Sequence, residues 1–337
     1  MEEIRARARE LMQGYCRVCP VCNGRACAGE VPGMGGVGTG AAFTANLDSL
    51  SRFKLNMRLV HEVVEPDTAT ELLGTSLDLP VLAAPIGGVS FNMGGKVPEE
   101  EYIEAVLGGC VDSGTLGCSG DGVPDFIHQA AFAAITELGG RGIPFIKPWE
   151  DEELFAKLDK AVATGADIVG MDVDAAGLVT LKKMGRPVSP KPQDKLAQII
   201  ERTGAKFIVK GLMSVEDARR AVEAGADAIV VSNHGGRVLD HTPGTAAVLP
   251  DIARAVAGRA AVLADGGVRS GVDVLKMLAL GADAVLVGRP VSIAAMGGGR
   301  QGVATYLGQL RTELVQAMVL TGCRDIASVD GRVLQTP

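Results

Sequence analysis

Eight short apolar runs, separated by segments with helical patterning, constrain the fold of this 337-residue chain more than any other feature. The segment "SVEDARRAVEAG" is typical of the connections, because Ser214 can cap a helix whose apolar residues recur at helical spacing before a glycine stop. Eight strand–helix units in series predict a TIM (β/α)8 barrel. The runs are PVLAAP, TLGCSG, IPFIK, ADIVGMDVD, KFIVKG, ADAIVVSN, AAVLADGG and ADAVLVGR.

The part of the chain before the first run has a different character. Residues 1–79 contain no comparable series of strands, and they include the cysteine-rich stretch "CRVCPVCNGRAC" at 16–27. We therefore expect a helical, cysteine-rich extension over 1–79 that packs on a barrel formed by 80–337, with the whole chain forming one domain.

Composition and charge narrow the classes of function. The chain is 47% hydrophobic but only 4% aromatic, has 45 glycines, and carries a net charge of −7. An aliphatic, glycine-rich balance suits buried parallel strands, and the negative charge gives no case for binding nucleic acid or an anionic membrane. The charged N-terminal segment lacks the apolar core of a signal peptide, so we expect a cytoplasmic protein with no membrane span.

Polar residues stand at the ends of several predicted strands. Active sites of TIM barrels lie at the C-terminal ends of the strands, so these endings are the candidate site. A barrel with a purely structural role has no need of charged groups there. The endings are Ala84 and Pro85, Cys118 and Ser119, Lys147, Asp172 and Asp174, Lys210, Ser232 to His234, Asp265 to Gly267, and Gly288 and Arg289.

The last two strands end in "DGGVRSG" and "GRP", which together indicate a phosphate site. Glycines allow backbone N–H groups to converge on an anion, and a helix follows each loop. Arg269 and Arg289 can add charge-assisted hydrogen bonds. The simpler alternative is that the glycines only turn the chain and that the arginines form surface ion pairs.

Four motifs carry a resemblance to a known family. "VKG" at 209–211, "SNHGGRVLD" at 232–240, "DGGVRSGVDVLKMLALGADAVLVGRP" at 265–290 and "TGCRDI" at 321–326 are similar to the FMN-dependent α-hydroxy acid oxidase/dehydrogenase family. Glycolate oxidase and lactate oxidase are members of that family. The resemblance is strong over 200–337 and continues back to about residue 36. It implies FMN as cofactor, a tetramer, and oxidation of a 2-hydroxy acid to the 2-oxo product with a hydride equivalent passing to flavin N5.

The resemblance also assigns roles to matched residues. His234 corresponds to the catalytic base, and Arg237 to the residue that holds the substrate carboxylate. Both types suit their tasks, because imidazole accepts a proton near neutral pH and a guanidinium matches a carboxylate in shape and charge. Lys210 corresponds to the lysine beside flavin N1 and O2, and Asp174 to the carboxylate that orients the base.

The same comparison implies a set of residues that contact FMN. The diglycine after His234 would let the backbone approach the flat flavin without a side-chain clash. Ser232 would bind the isoalloxazine ring, and the loops of the last two strands would hold the ribityl phosphate. The full set is Ala84, Pro85, Ser119, Lys210, Ser232, Gly235, Asp265, Gly266, Gly267, Arg269, Gly288 and Arg289.

The chain departs from the family pattern at several substrate-binding positions. The two active-site tyrosines fall near Pro32 and Pro148, and none of the three tyrosines in the chain stands there. A flavin-contacting glutamine is replaced near Ile146 or Lys147, and Asp172 stands where the family has a hydroxyl residue. A second carboxylate-binding arginine is missing, and the nearest cations are Lys182 and Lys183. We therefore expect a substrate other than plain glycolate or lactate. Candidate residues for a different pocket are Cys118, Asp121, His128, Lys147 and Trp149.

The cysteines of the extension indicate metal or redox chemistry. Cys16, Cys19, Cys22 and Cys27 have the spacing Cys-x2-Cys-x2-Cys-x4-Cys, which is nearer to an iron–sulfur run than to the two separated pairs of a zinc site. Zinc, free thiols and a redox disulfide remain alternatives. A cluster near the flavin could pass electrons to an acceptor that the sequence does not identify.

Two other functions compete with oxidation of a 2-hydroxy acid. Type 2 isopentenyl diphosphate isomerase has the same barrel and FMN but performs no net redox reaction, and it lacks the Ser-Asn-His-Gly-Gly-Arg pattern. A flavin- or metal-binding protein with little turnover would explain the missing tyrosines. Reduction of the flavin by a hydroxy acid separates both alternatives from the main hypothesis.

Overall fold

A short antiparallel hairpin precedes a closed barrel of eight parallel strands in this computed structural model, which describes residues 1–178, 181 and 184–335. The barrel closes where Val285 of its last strand pairs with Val81 of its first. This architecture confirms the predicted TIM barrel, and all eight apolar runs supply its strands. The strands are β1 (Thr70–Leu72), β2 (Thr75–Leu77), β3 (Val81–Ile86), β4 (Gly117–Ser119), β5 (Ile143–Ile146), β6 (Ile168–Asp172), β7 (Lys206–Leu212), β8 (Ala228–Val231), β9 (Ala261–Ala264) and β10 (Ala284–Val287).

Helices surround the barrel and cover its outer face. Ser214 caps its helix as predicted, because its hydroxyl accepts the backbone N–H of Asp217 at 3.1 Å. The helices are α1 (Glu2–Leu11), α2 (Ala41–Arg52), α3 (Val89–Asn92), α4 (Glu99–Asp112), α5 (Asp125–Glu137), α6 (Asp151–Val162), α7 (Gln193–Thr203), α8 (Val215–Glu223), α9 (Thr245–Val256), α10 (Gly271–Ala279) and α11 (Arg289–Thr321), the last interrupted at Gly299.

The hairpin β1–β2 closes the N-terminal end of the barrel. Leu72 and Leu77 are buried and belong to the same apolar cluster as Leu82, Ile208 and Leu286 inside the barrel. This packing leaves the C-terminal end of the strands as the open face. The hairpin is not apparent in the sequence, because strands of three residues carry too little alternation to be recognised.

The extension packs closely on the outer face of the barrel. The helix α1 lies against α11 so tightly that a side chain at Gly297 would overlap the carbonyl oxygen of Ile4. Ala8 and Met12 are fully buried and share one apolar cluster with residues of the barrel helices. The division into an extension over 1–79 and a barrel over 80–337 stays a prediction.

Within the described ranges, none of the helices combines the length and apolar character that crossing a lipid bilayer requires.

Candidate active site

A cavity of about 470 Å³ opens at the C-terminal ends of the barrel strands. Its volume lies in the range of cofactor and ligand sites. Ten of the twelve residues predicted to contact FMN line it, whereas Ser119 and Ser232 are buried behind its wall. The ten are Ala84, Pro85, Lys210, Gly235, Asp265, Gly266, Gly267, Arg269, Gly288 and Arg289.

His234 and Asp174 form a pair at this cavity. The Nδ1 of His234 lies 2.9 Å from Oδ1 of Asp174. Burial alone would raise the pKa of Asp174, but the positive charges of His234 and Lys210 outweigh burial and hold that pKa below its usual value. Asp174 is therefore ionised at neutral pH, and its carboxylate accepts the Nδ1–H of the imidazole.

Asn233 positions the turn that carries His234. Its side-chain oxygen accepts hydrogen bonds from Nδ2 of Asn46 at 2.8 Å and from the backbone N–H of Gly236 at 3.2 Å. His234 has a φ of +56°, so the turn holds the backbone of this residue in the left-handed region. The two glycines after His234 are required for different reasons. Gly235 lines the cavity, whereas a side chain at Gly236 would overlap the backbone of Phe43 in α2.

Lys210 lies among carboxylates on the floor of the cavity. Its Nζ is 3.6 Å from Oδ2 of Asp265, and that oxygen also accepts the hydroxyl of Ser232 at 2.8 Å. Burial alone would lower the pKa of Lys210, but Asp174, Asp265 and Asp172 raise it. The ammonium group is thus a fixed positive charge at neutral pH, as a partner for a developing anion requires.

Arg237 reaches the cavity from the turn after His234. It donates hydrogen bonds to the carbonyls of Gly33 and Gly35 and to Oδ1 of Asn92. Burial lowers the pKa of Arg237 to about 10, because removal from water disfavours the charged guanidinium. The loop that replaces the first family tyrosine, around Pro32, therefore touches the residue predicted to hold the substrate carboxylate.

Arg289 is a second half-buried cation at the cavity. Its guanidinium lies 3.8 Å from the centre of the Phe43 ring and donates to the carbonyls of Met34, Gly35 and Gly235. Burial, together with the positive charges of Arg237 and Arg269, lowers the pKa of Arg289 to about 9. Buried like charges of this kind are stabilised when an anion binds between them.

The residues present fit FMN. Asp265 Oδ1 and Arg269 Nε are buried without a hydrogen-bond partner in the described chain, so one acceptor and one donor remain for a ligand. Gly266 and Gly267 have φ values of +91° and +90°, which expose backbone N–H groups at the loop before α10. The ribityl hydroxyls and the phosphate of FMN would satisfy these groups.

Two departures from the family pattern meet in space. Lys147 Nζ lies 3.2 Å from Oδ2 of Asp172, so the residues at the glutamine and hydroxyl positions form one buried ion pair. Next to it, Asp121 accepts the indole N–H of Trp149 at 2.6 Å and Nζ of Lys157 at 2.8 Å. The residues that depart from the family pattern therefore contact one another in the folded chain.

The predicted alternative pocket is only partly formed. Asp121 and Lys147 line the cavity, whereas Cys118, His128 and Trp149 are buried in packing away from it. The positions of Lys182 and Lys183 lie outside the described residues. The sequence-based site did not include Phe43 and Asn46 of α2, although both lie in the stretch after residue 36 over which the resemblance continues.

Comparisons with known proteins identify the family of this chain. The sequence model of a family described as FMN-dependent dehydrogenase matches residues 33–186 and 179–336. A peroxisomal (S)-2-hydroxy-acid oxidase of Oryza sativa subsp. japonica is 34% identical over 317 residues, which cover 84% of this chain and 85% of that protein. An L-lactate oxidase of Roseobacter sp. is 32% identical over 326 residues, with 88% and 87% covered.

The fold comparison extends over the whole chain. A crystal structure of mandelate oxidase with benzoyl-formic acid aligns with a TM-score of 0.79 and 31% identity, and the alignment covers 100% of this chain and 97% of that one. A closed (β/α)8 barrel with this cavity and this match defines an FMN-dependent oxidoreductase. The chain belongs to the FMN-dependent dehydrogenase family.

Proposed function

We propose that this protein oxidises a 2-hydroxy acid to the 2-oxo acid, with His234 as the base. The observation that carries this proposal is the pairing of His234 with an ionised Asp174 in a cavity that the half-buried cation Arg237 also lines. A base and a carboxylate-binding cation on one cavity wall are the two groups that removal of a hydroxyl proton from a hydroxy acid requires.

The hydrogen bond to Asp174 decides which imidazole nitrogen acts. Because the Asp174 carboxylate accepts the Nδ1–H, the lone pair of a neutral His234 is on Nε2. That nitrogen accepts the substrate hydroxyl proton, and Asp174 stabilises the imidazolium that results. FMN, when bound, supplies the acceptor of the hydride equivalent.

Arg237 and Lys210 supply fixed positive charge on either side of this proton transfer. Arg237 would bind the substrate carboxylate in place of the carbonyls of Gly33 and Gly35. Lys210 is held by Asp265 where it would offset negative charge on the reduced isoalloxazine. We propose these roles together with the cofactor contacts of the ten cavity residues; Ser119 and Ser232 would act only as a second layer behind them.

The rim of the cavity favours a substrate with an apolar substituent. Loops after three strands place apolar side chains in its lining, where Tyr15 of the extension and Asn92 also lie. An apolar lining of this extent favours hydroxy acids with a branched aliphatic or aromatic group over lactate by the burial of extra carbon atoms. These side chains are Phe91, Val123, Ile127, Leu178, Leu181 and Met184.

Anaerobic reduction of bound FMN tests the proposal. A panel of lactate, 2-hydroxyisocaproate and mandelate is mixed with the protein, and loss of the flavin absorbance is followed by stopped flow. We expect reduction by at least one of the larger acids, and a loss of about 10²–10⁴ in its rate in His234→Ala with FMN retained. Reduction that is equally fast in His234→Ala, or no reduction by any 2-hydroxy acid, would overturn the proposal.

We also propose a location and an assembly state for the protein. A cytoplasmic location is supported by the absence of disulfides among the seven cysteines, all of which are free. A homo-oligomer such as a tetramer is supported by exposed apolar side chains at Met57, Leu59, Val60 and Val64. We also propose that the extension over 1–79 and the barrel over 80–337 form a single domain, because one apolar cluster joins them.

A further inference from the structure

The four cysteines of the extension face one small cavity beside the FMN cavity. Cys16, Cys19, Cys22 and Cys27 all line it. Met34 and Arg289 line both cavities, so these two side chains form the shared wall. The family match begins at residue 33, so the cysteines precede the part of the chain that the family shares.

The loop around these cysteines supplies donors to sulfur. The backbone N–H of Val18 lies 3.4 Å from Sγ of Cys16, and Nη2 of Arg269 lies 3.7 Å from Sγ of Cys22. Val18 has a φ of +45°, a strained conformation for a β-branched residue, and this conformation directs its N–H toward the sulfur. N–H groups directed at sulfur are among the devices that tune iron–sulfur clusters.

The spacing of the thiols excludes a preformed zinc site. Tetrahedral zinc with four thiolates needs sulfur atoms about 3.8 Å apart. Across the part of the chain that the structure describes, no three of the cysteine sulfurs lie within 4.8 Å of one another, and no two are bonded. Sulfurs that bind separate irons of a cluster are held farther apart than ligands of one ion.

We propose that Cys16, Cys19, Cys22 and Cys27 bind a [4Fe–4S] cluster at the wall of the FMN cavity. Each thiolate would bind one iron, and Arg289 and Arg269 would balance the negative charge of the cluster. Arg289 lies between the two cavities and, among described residues, donates its side-chain hydrogen bonds to backbone carbonyls alone. The guanidinium of Arg289 would thus lie between two anions, the cluster on one side and a ligand of the FMN cavity on the other.

The position of the cluster beside the FMN cavity implies a route for electrons. This route rests on the proposed function, whereas the cluster site does not. Oxidation of a hydroxy acid releases two electrons and two protons. The electrons would leave reduced FMN one at a time through the cluster, and two equivalents of a one-electron carrier protein would take them up. Val21 is 70% exposed within the cysteine loop, so the far side of the cluster would lie close to the surface where such a carrier docks.

Metal analysis of the holoenzyme tests the cluster. Protein purified anaerobically, or reconstituted with ferrous iron and sulfide, is analysed for iron, acid-labile sulfide, zinc and FMN. We expect about four irons and four sulfides per chain, and an electron paramagnetic resonance signal of a reduced cluster after dithionite. Zinc at one equivalent with no iron, or no metal at all after reconstitution, would overturn the proposal.

Cysteine variants assign the ligands. Cys22→Ser should lose at least half of the iron and the cluster signal while it retains FMN, whereas Cys323→Ser, at a buried cysteine outside the segment, should retain both. Equal iron in these two variants would refute the assignment of Cys22. Anaerobic bleaching of FMN by the hydroxy acid should persist in Cys22→Ser, so failure of the cluster and failure of the proposed function give different results.

Discussion

The Nδ1 of His234 lies 2.9 Å from Oδ1 of Asp174, while the other oxygen of Asp174 is buried without a hydrogen-bond partner in the described chain. The carboxylate therefore directs its bonding at the imidazole alone. Its ionisation is maintained by positive charge from His234 and Lys210 against the cost of burial. The orientation of the base thus depends on a single side chain 60 residues earlier in the sequence.

Asp174→Asn should slow flavin reduction and leave FMN binding intact. The amide can keep a hydrogen bond to His234, but it removes the negative charge that stabilises the imidazolium. We expect the rate of reduction to fall at least tenfold, about 1.4 kcal/mol in the barrier. Stopped-flow reduction at saturating hydroxy acid measures it, and the FMN dissociation constant serves as control. An unchanged rate would show that Asp174 does not assist the base.

Lys147→Met should destabilise the protein more than the double variant Lys147→Met/Asp172→Leu. The single change leaves the buried carboxylate of Asp172 without the ion-pair partner that lies 3.2 Å away. We expect a coupling of about 1–3 kcal/mol in the free energy of unfolding, from urea titrations of both single variants and the double variant. Additive effects would mean that the two residues stand side by side without interacting.

Phosphate should stabilise the FMN-free protein more below about pH 9 than above it. The sign follows from Arg289, whose pKa falls to about 9 on burial, so its charged, anion-binding form prevails only below that pH. Phosphate at a hundred times its dissociation constant would add about 2.7 kcal/mol. Thermal unfolding with and without phosphate at pH 7 and pH 10 measures the difference. The variant Arg289→Met should show a much smaller gain at pH 7, and an undiminished gain there would remove Arg289 from the phosphate site.

Gly236→Ala should cost more stability than Gly258→Ala. Both glycines have a positive φ, +77° and +71°, so both variants carry a similar backbone penalty. Only at Gly236 would the new Cβ meet other atoms, 2.4 Å from the backbone nitrogen of Phe43. We expect an additional loss of about 1–3 kcal/mol in the free energy of unfolding for Gly236→Ala. Equal losses would mean that α2 can shift away from the turn without penalty.

Local sequence signals were sufficient for the barrel and for most of the cavity. Each strand is a compact apolar run, and the rule that sites lie at strand ends selects residues such as Asp265 and Arg289 without three-dimensional information. The contacts that cross between distant segments could not be obtained in this way. The pairing of Lys147 with Asp172 joins two separate substitutions, and the stacking of Arg289 on Phe43 depends on how the extension folds over the barrel.

The hairpin at the opposite end of the barrel has a consequence for the order of events in turnover. Leu72 and Leu77 close that end, so a substrate that enters the cavity and a product that leaves it must use the same mouth. Product has to depart before the next substrate arrives. An electron acceptor that used this mouth as well could enter only after the product had left. This order predicts ping-pong kinetics and substrate inhibition. A carrier protein that received electrons at the cysteine loop would not compete with substrate and product for this mouth.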